Sequence, residues 1–334
     1  MAYKPTMEDI KKLRTMTGAG LADVKKSLVE AEGDFDKAKD LLRERGLAIA
    51  AKRSDRETSN GCVLVKVQDG FAAIIALKCE TDFVANGADF IALTQAILDA
   101  AVAAKCKSLD EVNALTLPDG QKVPDAVVHR SGITGEKMEL DGYNYLEGDN
   151  IYTYNHMGRN MLCALVQLNK AGFDEQGHNI TLQVASMNPI ALDEQSVPQS
   201  VKDNELHVAI QKTKEEQVEK AVEAALKKAG INPNLVDSED HIKSNIAKGW
   251  ITEDEAAQAR EIRARVSVEK AANLPEQMIQ NIAKGRLAKF FKESCLVNQE
   301  YIRAENKETV AAYLKAADKD LCVVDFRRFT LRAD

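Results

Sequence analysis

No stretch of the 334 residues reads G-x-x-x-x-G-K followed by Ser or Thr, and none reads G-x-G-x-x-G after a strand, so both common glycine-rich phosphate cradles are missing. SGITGEK (Ser131 to Lys137) comes nearest, but its glycines are three apart and Glu136 would set a negative charge against a phosphate. Five histidines, His129, His156, His178, His207 and His241, show no metal-ligand spacing, and no serine stands in a G-x-S-x-G elbow. Catalytic, metal and cofactor sites are therefore not expected. Six scattered cysteines include no C-x-x-C pair, which argues against a zinc knuckle or disulfide framework and suits a reducing cytoplasm. Cys79, Cys163 and Cys322 each sit in an apolar, strand-like run and are expected to be small buried hydrophobes. Long apolar runs are absent too. The densest, FAAIIAL (Phe71 to Leu77), is far too short to span a bilayer, and the opening MAYKPTMEDIKK has no signal-like apolar segment, so neither export nor membrane insertion is expected. Positive charge is not in excess either. With 45 Lys and Arg against 52 Asp and Glu, the net charge of −7 gives nucleic acid no bulk attraction.

What the chain does have is a globular composition, 45% apolar and 29% charged, on a length that suits two or three domains. Residues 7 to 46 carry three short apolar stripes at helical spacing. Ile10, Leu13 and Met16 precede Gly18 and Gly20; Leu21, Val24, Leu28 and Ala31 precede Gly33; and Phe35, Ala38, Leu41 and Leu42 follow a capping Asp34 and end at Gly46. A small bundle that folds on its own is expected, then a linker over AIAAKRSDRETSN (Ala48 to Asn60). Beyond it the period changes from helix to strand. GCVLVKVQDGFAAIIALKC holds two β-rich runs around Asp69-Gly70, a strong hairpin signal, and a helix should run from about Ala88 to Ala104. A second α/β unit starts near Asn150 with the strand MLCALVQL and a helix-capable stretch at Ile180 to Met187. The reading is α+β, with antiparallel sheets flanked by helices.

From Glu205 to Gly230 a helical stripe of Leu206, Ile210, Val218, Val222, Ala225 and Ala229 forms one arm of a hairpin. Pro233 breaks it, Ser238 and Thr252 are placed to cap further helices, and a helix after Pro275 reaches Phe290 and Phe291 before the last strand, CVVDFRRFTL. NIAKG occurs at Asn245 to Gly249 and at Asn281 to Gly285, which is read as a shared helix-end preference. One segment invites a functional reading. Thr81-Asp82-Phe83-Val84-Ala85-Asn86 lies between a strand and a helix, and two readings fit it. Thr81 or Asp82 caps a helix that Phe83 staples, or the acid and the ring project as a wedge for a partner. Spacing alone leaves both open.

LRTMTGAGLADVKKSL (Leu13 to Leu28), GDFDKAKDLLRERG (Gly33 to Gly46), TDFVAN, PEQMIQNIAKGRLAKFFKESCLVNQ (Pro275 to Gln299) and DFRRFTL resemble, in order, blocks of elongation factor Ts, a bacterial translation factor. The resemblance implies a ubiquitin-associated-like (UBA-like) helical domain at 1–50, a two-part core at 51–148 and at 149–204 with 271–334, and an inserted helical hairpin at 205–270. It implies binding to elongation factor Tu, both GDP-bound and nucleotide-free, and faster GDP release in the cytoplasm, without direct contact to nucleic acid. Carried over by position, Asp82 and Phe83 match the family's intruding pair within Thr81 to Val84, and Arg14 and Lys25 match its amino-terminal contacts. Gly135 falls in the loop the family writes Ile-Gly-Glu-Asn, here Thr134-Gly135-Glu136-Lys137, and His156 in its Tyr-x-His. Three departures stand out. Val24 replaces a frequent Cys, the hairpin is longer than usual, and the family's occasional final helix is missing after DFRRFTL. The long hairpin leaves open a homodimer or a 2:2 complex. A UBA-like adaptor on a passive scaffold is the competing reading, and a thiol enzyme built on Cys79 is a third.

Overall fold

The computed structural model describes residues 3–53 and 55–331. Ser54, inside the expected linker, lies outside the described residues. Contacts divide the chain into two compact units, Met1–Pro189 with Glu300–Asp334, and Ile190–Gln299.

The first unit opens with three helices, α1 (Met7–Thr17), α2 (Leu21–Glu30) and α3 (Phe35–Lys52). Thr6 and Asp9 form a reciprocal capping box at the start of α1, and Asp34 Oδ1 accepts from the N–H of Asp36 and Lys37 at the start of α3. Ile10, Leu13, Val24, Leu28, Ala38 and Leu42 bury together as this bundle's core. Helix α3 does not stop at Gly46, as the glycine suggested; it continues to Lys52 and takes the first third of the expected linker. The physical reason is tertiary. A Cβ on Gly46 would stand 3.3 Å from the Cα of Gly132, on a helix that packs along α3, so this glycine is a close-approach point and not a helix end.

Two three-stranded antiparallel sheets follow. The first has β1 (Asn60–Gln68), β2 (Phe71–Cys79), the single-turn α4 (Asp82–Ala85), α5 (Ala88–Ala103), α6 (Leu109–Ala114), α7 (Val123–Thr134) and β3 (Met138–Glu147), with strand order β1-β2-β3. Asp69 and Gly70 join β1 to β2 with φ of 50° and 70°, the double left-handed conformation of a type I′ turn. The apolar run in β2 is explained by burial on both faces. Phe71, Ala73, Ile75, Leu77 and Cys79 pack with Phe90, Ile97 and Leu98 of α5 on one side. Ala72, Ile74 and Ala76 alternate to the other side, against Cys163 and Leu165 of the second sheet. That sheet comprises β4 (Ile151–Asn155), β5 (Leu162–Leu168) and β6 (Val323–Thr330), backed by α8 (Asp174–Met187). Cys79 and Cys163 are buried as expected, but Cys322 is exposed. It lies just ahead of β6 and faces solvent between buried Leu321 and Val323.

The second unit is helical. Its long α9 (Gln199–Lys228) packs against α11 (Glu253–Ala272) and α12 (Glu276–Ser294), with the short α10 (Glu239–Ala247) between α9 and α11. Ser238 and Thr252 cap α10 and α11, the latter through a full capping box with Glu255. Val222, Leu226, Ile231, Ile242, Ile251 and Ala259 bury together, so residues 205–270 carry a hydrophobic cluster of their own rather than two bare arms. Ala229, read as part of the apolar stripe, is exposed where α9 ends. The two NIAKG copies do not share a structural role: Gly249 has φ +71° after α10, whereas Gly285 is in the interior of α12. The chain then returns to the first unit through α13 (Val310–Ala317) and β6.

Candidate functional site

The pairing of β2 with β3 ends at Cys79 and Met138. Beyond that point Thr81 is extended, and its Oγ1 accepts the N–H of Val84 at 3.4 Å, which makes it the N-cap of α4. Asn86 Nδ2 donates to the Asp82 carbonyl (2.8 Å) and closes the turn. A single helical turn must direct neighbouring residues to different sides. Ala85 is buried and Val84 half-buried against the first sheet's core, whereas Asp82 is exposed and Phe83 is 88% exposed. Phe83 is therefore no helix staple, and the cap is Thr81 rather than Asp82.

The turn is held from several sides. Glu136, on the loop between α7 and β3, accepts the Thr81 N–H at 3.0 Å and the Thr81 hydroxyl at 2.6 Å. Glu80 accepts the N–H of Lys137 (2.7 Å) and pairs with Arg53 (2.9 Å) and Arg56 (3.3 Å) from the segment after α3. Cys79 Sγ donates to the Thr81 carbonyl at 3.2 Å. Burial pushes that thiol up to about 12, with the Glu136 charge adding to the effect, so it stays protonated at neutral pH and is no thiolate nucleophile. The thiol-enzyme reading loses its reactive group.

The Glu80 carboxyl is held below its ordinary value, first by the Lys137 N–H and then by Arg53 and Arg56. A folded value below the unfolded one means that ionised Glu80 stabilises the fold above the ordinary carboxylate range and loses this contribution as pH falls through the lowered value. Glu80→Gln is accordingly expected to cost about 1–3 kcal/mol at neutral pH, the scale of a hydrogen bond to a charged group. Thermal melts of both proteins should draw together as pH falls below the ordinary carboxylate range and through this lowered value, where Glu80 takes up its proton. A gap of constant size across that range would mean that the charge of Glu80 contributes nothing.

The other sequence-predicted residues are spread over four elements. Gly135 ends α7 with φ +71° and sits beside Glu136, so the Thr134–Lys137 loop and the Thr81 turn are brought into direct contact. Gly18, in the α1–α2 turn, faces Ile133 on α7, where an added Cβ would stand 3.4 Å from Cδ1. Arg14 and Lys25 lie on exposed faces of α1 and α2. His156 follows β4, with its Nδ1 3.1 Å from Tyr154 Oη, and precedes Met157, which is 66% exposed. Among the described residues, Arg14, Lys25 and His156 share no hydrogen bond or ion pair with the Thr81 turn.

A sequence model for elongation factor Ts matches residues 80–236 and 211–333, which takes in the turn, the second unit and the part of the first unit that follows β2. Elongation factor Ts of Bacteroides fragilis is 65% identical over 329 residues, covering 98% of this chain and 99% of its own length. The chain belongs to the elongation factor Ts family. Elongation factor Ts of Phocaeicola vulgatus is 63% identical and that of Porphyromonas gingivalis 40% identical, each with the same coverage. Membership makes it a translation elongation factor, and the family's span includes the long helical unit as well as the core. No helix among the described residues is long and apolar enough to cross a membrane. Sequence reading missed Glu80, Glu136 and Arg53. The two acids come together because the β2–β3 register, continued past Cys79 and Met138, would set 80 and 81 opposite 137 and 136, and nothing in the local sequence marks them or Arg53.

Proposed function

We propose that this chain is a guanine-nucleotide exchange factor that binds elongation factor Tu in the cytoplasm, in its GDP-bound and nucleotide-free forms, and speeds GDP release. The observation that carries this reading is Phe83, 88% exposed on a turn whose neighbours are capped, bonded and packed. An exposed phenyl ring on a fixed turn is suited to insertion into a partner, because its orientation is set before binding and little ordering entropy is lost. Exchange requires no bond-making group on the factor. A protein that binds empty Tu more tightly than Tu with GDP must, by linkage, weaken GDP binding by the same factor. Phosphates held through magnesium depend on a near-ideal octahedral shell, so a small displacement of its supports lowers nucleotide affinity steeply.

The test is release of a fluorescent GDP analogue from purified Tu, chased with excess GDP, with and without the chain. Acceleration that saturates with factor concentration is expected. An unchanged rate would favour the adaptor reading. Equilibrium dialysis of the chain alone with GDP and GTP is expected to show no binding, since the sequence carries no glycine-rich phosphate cradle; micromolar retention would contradict a factor that acts only through protein contacts.

A further inference from the structure

We infer that Glu136 is a positioning residue for the Phe83 wedge, acting through Thr81 where the β2–β3 ladder gives out. This rests on the exchange reading above. The ladder's last pair is Cys79 with Met138, so continued pairing would set 80 against 137 and 81 against 136. Instead two side chains take over. Glu80 accepts the N–H of Lys137 and Glu136 accepts the N–H of Thr81, a reciprocal exchange across the two departing strands. Carboxylates satisfy the backbone donors while the strands separate, and the separation is what lets residues 82–85 turn outward.

Four further bonds make this more than a surface contact. The Thr81 hydroxyl has one proton, and it goes to Glu136 at 2.6 Å; the remaining lone pairs are then free to accept the Val84 N–H that starts α4. Glu136 is itself pinned. Its carbonyl accepts from the hydroxyl of buried Ser131 (2.5 Å), and its N–H donates to Thr134 Oγ1 (3.3 Å). The carboxylate thus connects the C-terminal end of α7 to the first residue of the turn. Phe83 has no packing of its own to fix it, so the orientation of the ring follows from α4, and that of α4 from Thr81.

The experiment compares Glu136→Ala and Glu136→Gln with the parent by amide hydrogen exchange, thermal melting and GDP release from Tu at saturating factor. Glu136→Ala is expected to speed exchange of the Thr81 and Asp82 amides about tenfold or more, leave the β2 amides unchanged, and slow maximal GDP release about tenfold. Glu136→Gln keeps one accepting oxygen and should fall between. Added to Phe83→Ala, the Glu136→Ala change should slow release no further, because the brace acts only through the ring. Unchanged Thr81 amide exchange would overturn the brace. So would additive losses with Phe83→Ala, or faster amide exchange with release at the parental rate. A parent that does not accelerate release would refute the exchange reading instead, and the amide measurement would then decide the brace by itself.

Discussion

Phe83→Ala is expected to slow GDP release from Tu about thirtyfold while moving the melting temperature by no more than about 1–2 °C. The two magnitudes come from the same observation. A buried phenylalanine cut to alanine costs roughly 3–5 kcal/mol through lost burial and a cavity, but a ring that is 88% exposed has almost no burial to lose. Its contribution is instead held for an interface, where a central aromatic anchor contributes on the order of 2 kcal/mol or more, about a thirtyfold change in the constant that reports it. Asp82→Ala should slow release less, and it should cost no helix cap, because Thr81 supplies the cap. Thr81→Ala should behave differently from both, combining a cap loss of about 1 kcal/mol with the release of the Glu136 carboxylate. Melts and release rates on the same three variants separate these cases. A Phe83→Ala protein that melts far earlier, or that supports release at the parental rate, would remove Phe83 from the site.

Much of the fold was legible because its cues are local. Asp69-Gly70 between two apolar runs could only be a tight turn, and Ser238 and Thr252 each stand where a helix starts. The failures are places where a distant residue overrides the local cue. Gly46 looks like a stop until Gly132 is beside it. Strand β3, MELDGYNYLE, carries a glycine and three acids, and only its pairing with the doubly buried β2 makes it a strand. The candidate site divides in the same way. Its motif was visible as TDFVAN, but sequence could not say whether Phe83 faced core or solvent, since one helical turn has no periodicity to read. The carboxylates that hold the turn are 56 residues apart in the chain, by subtraction of 80 from 136, and were visible only as isolated charges.

Gly132→Ala is expected to destabilise the first unit by about 1–3 kcal/mol, lowering its transition by several degrees, while Gly46→Ala should be close to neutral. A Cβ built on Gly132 lies 2.3 Å from the Cα of Gly46, a separation that backbone displacement alone can relieve. A Cβ on Gly46 lies 3.3 Å from the Cα of Gly132 and 3.7 Å from the Val128 carbonyl, a tight fit that small adjustments accommodate. Replacing glycine by alanine inside a helix also gains up to about 1 kcal/mol of helix propensity, which offsets the small crowding at Gly46 and cannot offset the clash at Gly132. Three residues after Gly132 α7 ends at Gly135, and Glu136 follows, so a displaced α7 carries the Thr81 brace with it. Gly132→Ala should therefore slow GDP release as well as lower stability, whereas Gly46→Ala should do neither. Equal losses from the two substitutions would mean that α3 and α7 meet elsewhere than at this glycine pair, and the passage of α3 through Gly46 would then need another cause.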